Sequence, residues 1–156
     1  MVGQKRDAGI QSRRSRALPA LGRAHRATRE EVLVRDAPVI AIVDDDESFR
    51  EALQRFLGTL AFRVRTFASG EEFLQSGELA FVRCLLLDLV MPGMSGLEVK
   101  QQLEARGLRI PTVFVTANAS DELQRHLLAA GAIAIVPKPV DQQMLLRLVQ
   151  RVMGEG

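Results

Sequence analysis

Four runs dominated by apolar residues punctuate the chain: Val39-Ile40-Ala41-Ile42-Val43, Cys84-Leu85-Leu86-Leu87, Thr112-Val113-Phe114-Val115 and Ala132-Ile133-Ala134-Ile135-Val136. Strict apolar/polar alternation would mark strands with one wet face, whereas continuous runs of this length predict strands buried on both faces, as in parallel sheets. Between the runs the period becomes helical. Phe49, Ala52, Leu53, Phe56, Leu57 and Leu60 form one stripe, with Arg50, Glu51, Gln54 and Arg55 opposite, which predicts a helix over 47–60. Arg63 to Phe67 reads as a short second strand. Ser69-Gly70-Glu71-Glu72 and Ser95-Gly96-Leu97-Glu98 have the Ser-x-x-Glu spacing of a capping box and open the second and third helices. The third ends near Arg106-Gly107, where glycine suits the left-handed C-terminal position. Ser120-Asp121-Glu122 starts a fourth helix ending at Gly131, and Asp141 caps a fifth that runs to about Met153.

The order is therefore five repeats of strand then helix. Right-handed crossovers close such units into an α/β, flavodoxin-like, doubly wound five-stranded parallel sheet in the order 2-1-3-4-5 with five helices. The switch point falls between strands one and three. Ligands bind there, beyond the carboxyl ends of the strands.

Four polar sites stand where apolar runs end: Asp44-Asp45-Asp46, Asp88, Thr116 and Lys138. The predicted strand order gathers them at one crevice, although nearly a hundred residues separate the first from the last. Several carboxylates held close repel one another, and a hard divalent cation relieves that repulsion; Mg²⁺ suits a shell of carboxylate and water that leaves room for a phosphoryl oxygen. The expected metal ligands are Asp45 and Asp88, with Asp44 helping directly or through water. An Asp carboxylate can itself attack phosphorus to give an acyl phosphate, and Asp88 is the best-placed nucleophile. Lys138 supplies a positive charge for a phosphoryl oxygen, and the Thr116 hydroxyl, with the Ala117 backbone N–H, can hydrogen-bond the attached group. Each piece also has a plainer reading. Acids at a helix start satisfy its orphan N–H groups, the role expected of Asp46; Asp88 can cap a loop, Thr116 can end a strand and Lys138 can be a solvated lysine. Joint placement favours phosphoryl chemistry.

Charge and composition change the picture at one end only. Residues 1–36 carry 9 Lys/Arg against 4 Asp/Glu, net +5, while residues 37–156 carry 12 against 15, net −3. The first segment, rich in Arg, Ala, Gly and Ser without sustained periodicity, is read as a basic, disordered N-terminal extension, and residues 37–156 as the folded domain. A basic arm touching nucleic acid or an anionic membrane is the functional alternative for that segment. The single cysteine, Cys84, lies within an apolar run, so neither an internal disulfide nor a cysteine metal cluster is expected. No apolar stretch reaches the roughly 18 to 20 residues of a membrane span, and no signal core is present. The reading is cytoplasmic, without membrane association.

Ile42-Val43-Asp44-Asp45-Asp46, Leu86 to Gly96 with its Asp88-Leu89-Val90-Met91-Pro92-Gly93-Met94-Ser95, Val115-Thr116-Ala117, and Gly131-Ala132 through Lys138-Pro139 resemble the receiver domain of two-component response regulators, the CheY-like family. The likeness spans residues 38–153. Arg65 to Leu74 is most similar to receivers of the FixJ-like branch. The resemblance implies that a sensor histidine kinase or histidine phosphotransfer protein donates phosphate from its His to Asp88, a phosphoacceptor signalling role rather than an enzyme's. It also implies that the Val90 backbone carbonyl joins the Mg²⁺ ligands and that the Lys138-Pro139 bond is cis. Two positions depart from the family. Ile135 stands where Tyr or Phe is usual, three residues before the lysine, and Val140 stands where FixJ-like receivers commonly carry Phe.

FixJ-like receivers usually precede a DNA-binding helix-turn-helix domain, and this chain ends at Gly156. The expectation is a stand-alone receiver that binds a downstream protein through its fourth helix, fifth strand and fifth helix, with no nucleic acid bound by the receiver itself. The alternatives are the truncated receiver of a DNA-binding regulator and a non-phosphorylated pseudo-receiver. An aspartate-nucleophile phosphatase would place two Asp two residues apart and a following Thr after its first strand, and Asp44-Asp45-Asp46-Glu47-Ser48 has Ser48 where that Thr is needed. No G-x-x-x-x-G-K-[ST] phosphate loop occurs.

Overall fold

The computed structural model describes residues 37–154 together with Arg26, Thr28 and Arg29. The chain divides into two units, Met1–Asp36 and Ala37–Gly156. Apart from Arg26, Thr28 and Arg29, the segment 1–36 for which disorder was expected lies outside the described residues.

Five strands, β1 (Val39–Val43), β2 (Arg63–Phe67), β3 (Val82–Asp88), β4 (Thr112–Thr116) and β5 (Ala134–Pro137), alternate with helices α1 (Glu47–Gly58), α2 (Gly70–Leu74), α3 (Gly96–Ala105), α4 (Asp121–Ala129) and α5 (Gln142–Gly154). All strand pairs are parallel and the order is β2-β1-β3-β4-β5, as the element sequence predicts. The continuous apolar runs are explained by two cores, one on each face. Val39, Ala41 and Val43 point into a cluster with Phe73, Val99, Leu103 and Leu127, from α2, α3 and α4. The alternate residues Ile40 and Ile42 enter a second cluster with Leu53, Leu57, Leu145 and Val149, from α1 and α5. Each central strand therefore needs apolar side chains in both directions. Among the described residues no helix is long and apolar enough to cross a membrane.

The predicted caps are in place. The hydroxyls of Ser69, Ser95 and Ser120 accept from the amides of Glu72, Glu98 and Leu123, and Asp141 accepts from Gln143 and Met144. Gly107, with φ 74°, takes the left-handed position past α3.

Three boundaries differ from expectation. Helix α1 stops at Gly58 instead of residue 60, because the Thr59 hydroxyl donates to the Phe56 carbonyl (2.7 Å) and the Leu60 amide turns back to Leu57 (3.1 Å). Strand β3 is longer than the Cys84–Leu87 run and ends on Asp88 itself, preceded by an unanticipated 3₁₀ turn, Leu79–Phe81. The run 132–136 was expected as a strand buried on both faces, yet β5 begins at Ala134 and is only partly buried. It lies at the sheet edge with β4 as its one neighbour, where Pro137 is tolerated, while Ile133 before it is exposed.

Candidate functional site

Every predicted site residue sits at the carboxyl end of a strand. Asp44 follows β1, with its amide bonded to the Phe67 carbonyl (3.1 Å); Asp88 and Thr116 close β3 and β4; Lys138 follows β5, its amide bonded to the Thr116 carbonyl (2.9 Å). Asp44, Asp88 and Thr116 are buried, whereas Asp45 and Asp46 are exposed. One carboxylate oxygen from each of Asp44, Asp45 and Asp88 lies within 4.8 Å of the others. Asp46 takes the capping role expected of it, accepting from the Phe49 amide (3.2 Å).

Lys138 joins the set. Its Nζ lies 2.8 Å from Asp44 Oδ2 and 3.7 Å from Asp88 Oδ2. The other Asp44 oxygen accepts from the Asp46 amide (2.9 Å), so both oxygens of Asp44 are engaged. This leaves Asp45 and Asp88 as the more available oxygen donors. A trio of hard carboxylate oxygens is a donor set that suits Mg²⁺; Asp45 and Asp88 could hold such an ion, and Asp44 could share it at the expense of Lys138.

Burial pushes the Asp88 carboxyl up to about 6, reinforced by the neighbouring negative charges of Asp44 and Asp45 and opposed by Lys138 and the Val90 amide. For Lys138 burial alone would lower the value, but the hydrogen bond and charge of Asp44, with Asp88 and Asp46 beyond, raise it on balance. The ammonium is therefore retained at neutral pH. For Asp88 the folded state holds its proton more tightly than the unfolded chain, whose carboxyl titrates near about 3.9. Stability from this group is lost as pH rises between those values and is level above the higher one. In the absence of divalent cations, the thermal stability of Asp88→Asn should accordingly pull ahead of wild type from pH 4 to pH 6 and keep a constant lead above it; a lead independent of pH would contradict this account.

Thr116 is buried at the end of β4, and its hydroxyl is turned to the Asn118 backbone, accepting from the amide (3.2 Å) and facing the carbonyl (3.4 Å). Val90, whose amide favours the charged form of the Asp88 carboxyl, is 73% exposed. The Lys138-Pro139 bond is cis. Ile135 is half-buried against the cluster containing Phe114 and Leu127.

Three participants escaped the sequence reading. Arg50, expected on the solvent side of the first helix, is half-buried, and its guanidinium donates to the Asp44 carbonyl (2.6 Å). Glu71, read as part of a capping box, accepts from the Met94 amide (2.9 Å) and so ties α2 to the loop after Asp88. Phe49, counted as one member of an apolar stripe, places its ring centroid 4.3 Å from Lys138 Nζ. None of the three had a legible signal in the sequence around it.

The doubly wound fold with an acid cluster and a lysine at its switch point is that of a class of signalling domain, to which similarity in sequence and structure assigns the chain. Residues 40–150 match the response regulator receiver domain, and the chain belongs to that family. It is 37% identical over 131 residues to the response regulator protein TmoT of Ectopseudomonas mendocina, covering 83% of this chain and 56% of that protein. It is 30% identical over 117 residues to the transcriptional regulatory protein FixJ of Azorhizobium caulinodans, covering 75% and 56%. The solved chemotaxis protein CheY4 of Vibrio cholerae superposes with a TM-score of 0.68 at 28% identity, covering 74% of this chain and 98% of that one. The chain spans about half the length of the curated relatives it matches.

Proposed function

We propose that the domain formed by residues 37–156 accepts a phosphoryl group on Asp88 from a sensor histidine kinase or histidine phosphotransfer protein, in a Mg²⁺-dependent reaction, and thereby switches binding to another protein or domain. The observation that carries this reading is Lys138 Nζ poised between Asp44 and Asp88, beside a carboxylate trio suited to a hard cation. Bound Mg²⁺ would neutralise charge on the carboxylates and on the incoming phosphoryl oxygens. The Val90 carbonyl is assigned as its further ligand.

In the transfer, an Asp88 carboxylate oxygen attacks phosphorus as the bond to the donor's imidazole nitrogen breaks, and the bonding pair leaves on that nitrogen. Lys138 then pairs with one phosphoryl oxygen. The Thr116 hydroxyl leaves Asn118 to donate to another, assisted by the Ala117 amide. The new group brings roughly two negative charges into an acidic site, so the contacts of Lys138 and Thr116 must change and bias a two-state element. With Ile135 at the usual aromatic position, the bias runs through the loop after β4 and α4, repacking against an aliphatic side chain. The output surface is assigned to α4, β5 and α5, and the location to the cytoplasm, in keeping with the buried free thiol of Cys84.

A second reading concerns context only. The same domain serves as the N-terminal half of a longer transcriptional regulator, which the coverage of TmoT and FixJ favours. Residues 1–36 are assigned as a basic extension outside the phosphoacceptor function.

Incubation with a small acyl-phosphate donor and Mg²⁺ should add one phosphoryl mass to the chain, with no gain when Mg²⁺ is chelated. Uptake that ignores Mg²⁺ would refute the metal dependence. Mg²⁺ alone should stabilise the fold by about 2.7 kcal/mol at a hundred times its dissociation constant and so raise the melting temperature; an unchanged melting curve at millimolar Mg²⁺ would contradict a carboxylate metal site.

A further inference from the structure

Resting on the phosphoacceptor reading above, we propose that Phe49 is a positioning residue for the reaction at Asp88: its ring holds the Lys138 ammonium by a cation–π contact where that ammonium meets the incoming phosphoryl group. Lysine presents a compact charge on a flexible four-carbon stem, so its location must be imposed by what surrounds it. Asp44 Oδ2 at 2.8 Å and Asp88 Oδ2 at 3.7 Å attract Lys138 Nζ, and the Phe49 ring, with its centroid 4.3 Å away, attracts it as well. That distance is inside the roughly 6 Å range over which a ring face attracts a cation, and the attraction grows when water is excluded. The Lys138 side chain is only 20% exposed.

The ring matters because the carboxylate contacts do not last. Asp88 gives up its free carboxylate when it is phosphorylated, and Asp44 is shared with its other partners. The ring keeps its attraction through both changes. Phe49 is also tied to the acids it serves: its amide donates to Asp46, and the adjacent Arg50 guanidinium donates to the Asp44 carbonyl (2.6 Å). The turn that carries the acids thus carries the ring. An aliphatic residue at position 49 preserves packing against the α1/α5 core but supplies no negative ring face.

The test compares Phe49→Leu, Phe49→Met and Phe49→Tyr in the full chain, with folding checked by circular dichroism. With saturating Mg²⁺ and a small acyl-phosphate donor, the leucine and methionine variants should take up phosphate about 2- to 30-fold more slowly than wild type, the span of a cation–π contact. The tyrosine variant should restore the rate. Adding Phe49→Leu to a Lys138→Met background should slow it no further, since Phe49 acts through Lys138. The Lys138 Hε protons should be shifted upfield by the ring in wild type and in Asp88→Asn, and relax in Phe49→Leu. Equal rates for leucine and phenylalanine, additive losses in the double variant, or unshifted Hε protons in wild type would each overturn the proposal. Failure of the phosphoacceptor reading would show instead as uptake by Asp88→Asn, and the proton shifts are read without any phosphorylation.

Discussion

Asp88→Asn should take up no phosphoryl group from an acyl-phosphate donor under conditions in which the wild-type chain takes up one. The substitution keeps the size and shape of the side chain but replaces the nucleophilic carboxylate with an amide. Other acids stand within 4.8 Å, so the loss is not trivial. Asp44 is a poor substitute nucleophile because one oxygen accepts from the Asp46 amide and the other holds Lys138. Asp45 is exposed, and no described ion pair links it to Lys138, which could stabilise the product. The folded state should survive and gain stability, because the variant removes a buried charge crowded by two others. Undiminished labelling of a well-folded Asp88→Asn would remove Asp88 as the acceptor.

The second large effect is structural. At Gly96, the first residue of α3, a Cβ would collide with the carbonyl oxygen of Asp88 and press on Leu89 Cα, while the Gly96 amide donates to the Leu89 carbonyl (2.9 Å). These are backbone atoms and cannot rotate out of the way. Overpacking in a filled interior typically costs about 1–3 kcal/mol, occasionally more, and Gly96→Ala should fall at the upper end. A domain of 120 residues lies between the sizes for which each kcal/mol moves the melting temperature by roughly 4–8 °C and roughly 2–4 °C, so a fall of about 10 °C is expected, with slower phosphate uptake as Asp88 is pushed out of register. Gly58→Ala provides the contrast. Beyond its chain neighbours and its own helix backbone nothing lies within 4 Å of a Cβ placed there, and alanine is a better helix former by about 1 kcal/mol at most, so its melting temperature should hold or rise. If Gly96→Ala melts with Gly58→Ala, the close packing of α3 on the acceptor strand is misassigned.

What could be read from the chain follows from which interactions are local in sequence. Parallel strands buried on both faces leave an uninterrupted apolar signature, and three of the four expected runs, at β1, β3 and β4, are buried along nearly their whole length. Helix starts were legible because a serine or aspartate cap and its amide partner are two or three residues apart. The fourth run misled because Ala132 and Ile133 are as apolar as the strand they precede, and only tertiary position makes β5 an edge. The acids, Thr116 and Lys138 were legible as strand-end residues once the topology was known. The partners that hold them were not. Arg50 sits on a helix whose stripe assigns it to solvent, but its long side chain reaches back six residues to the Asp44 carbonyl. Phe49 meets Lys138 across 89 positions of chain, a contact that helical periodicity cannot contain. Glu71 reaches Met94 from a neighbouring helix for the same reason. The side chains that carry the chemistry announce themselves by type and place, whereas those that orient them are defined by the fold.

The most direct test is to locate the phosphoryl group chemically. After incubation with an acyl-phosphate donor and Mg²⁺, borohydride reduces an aspartyl phosphate to the alcohol and releases phosphate, leaving homoserine at the modified position for tandem mass spectrometry to find. Homoserine at position 88 alone is the predicted result. Homoserine at position 44 or 45, or a labelled chain with residue 88 still aspartate, would contradict it.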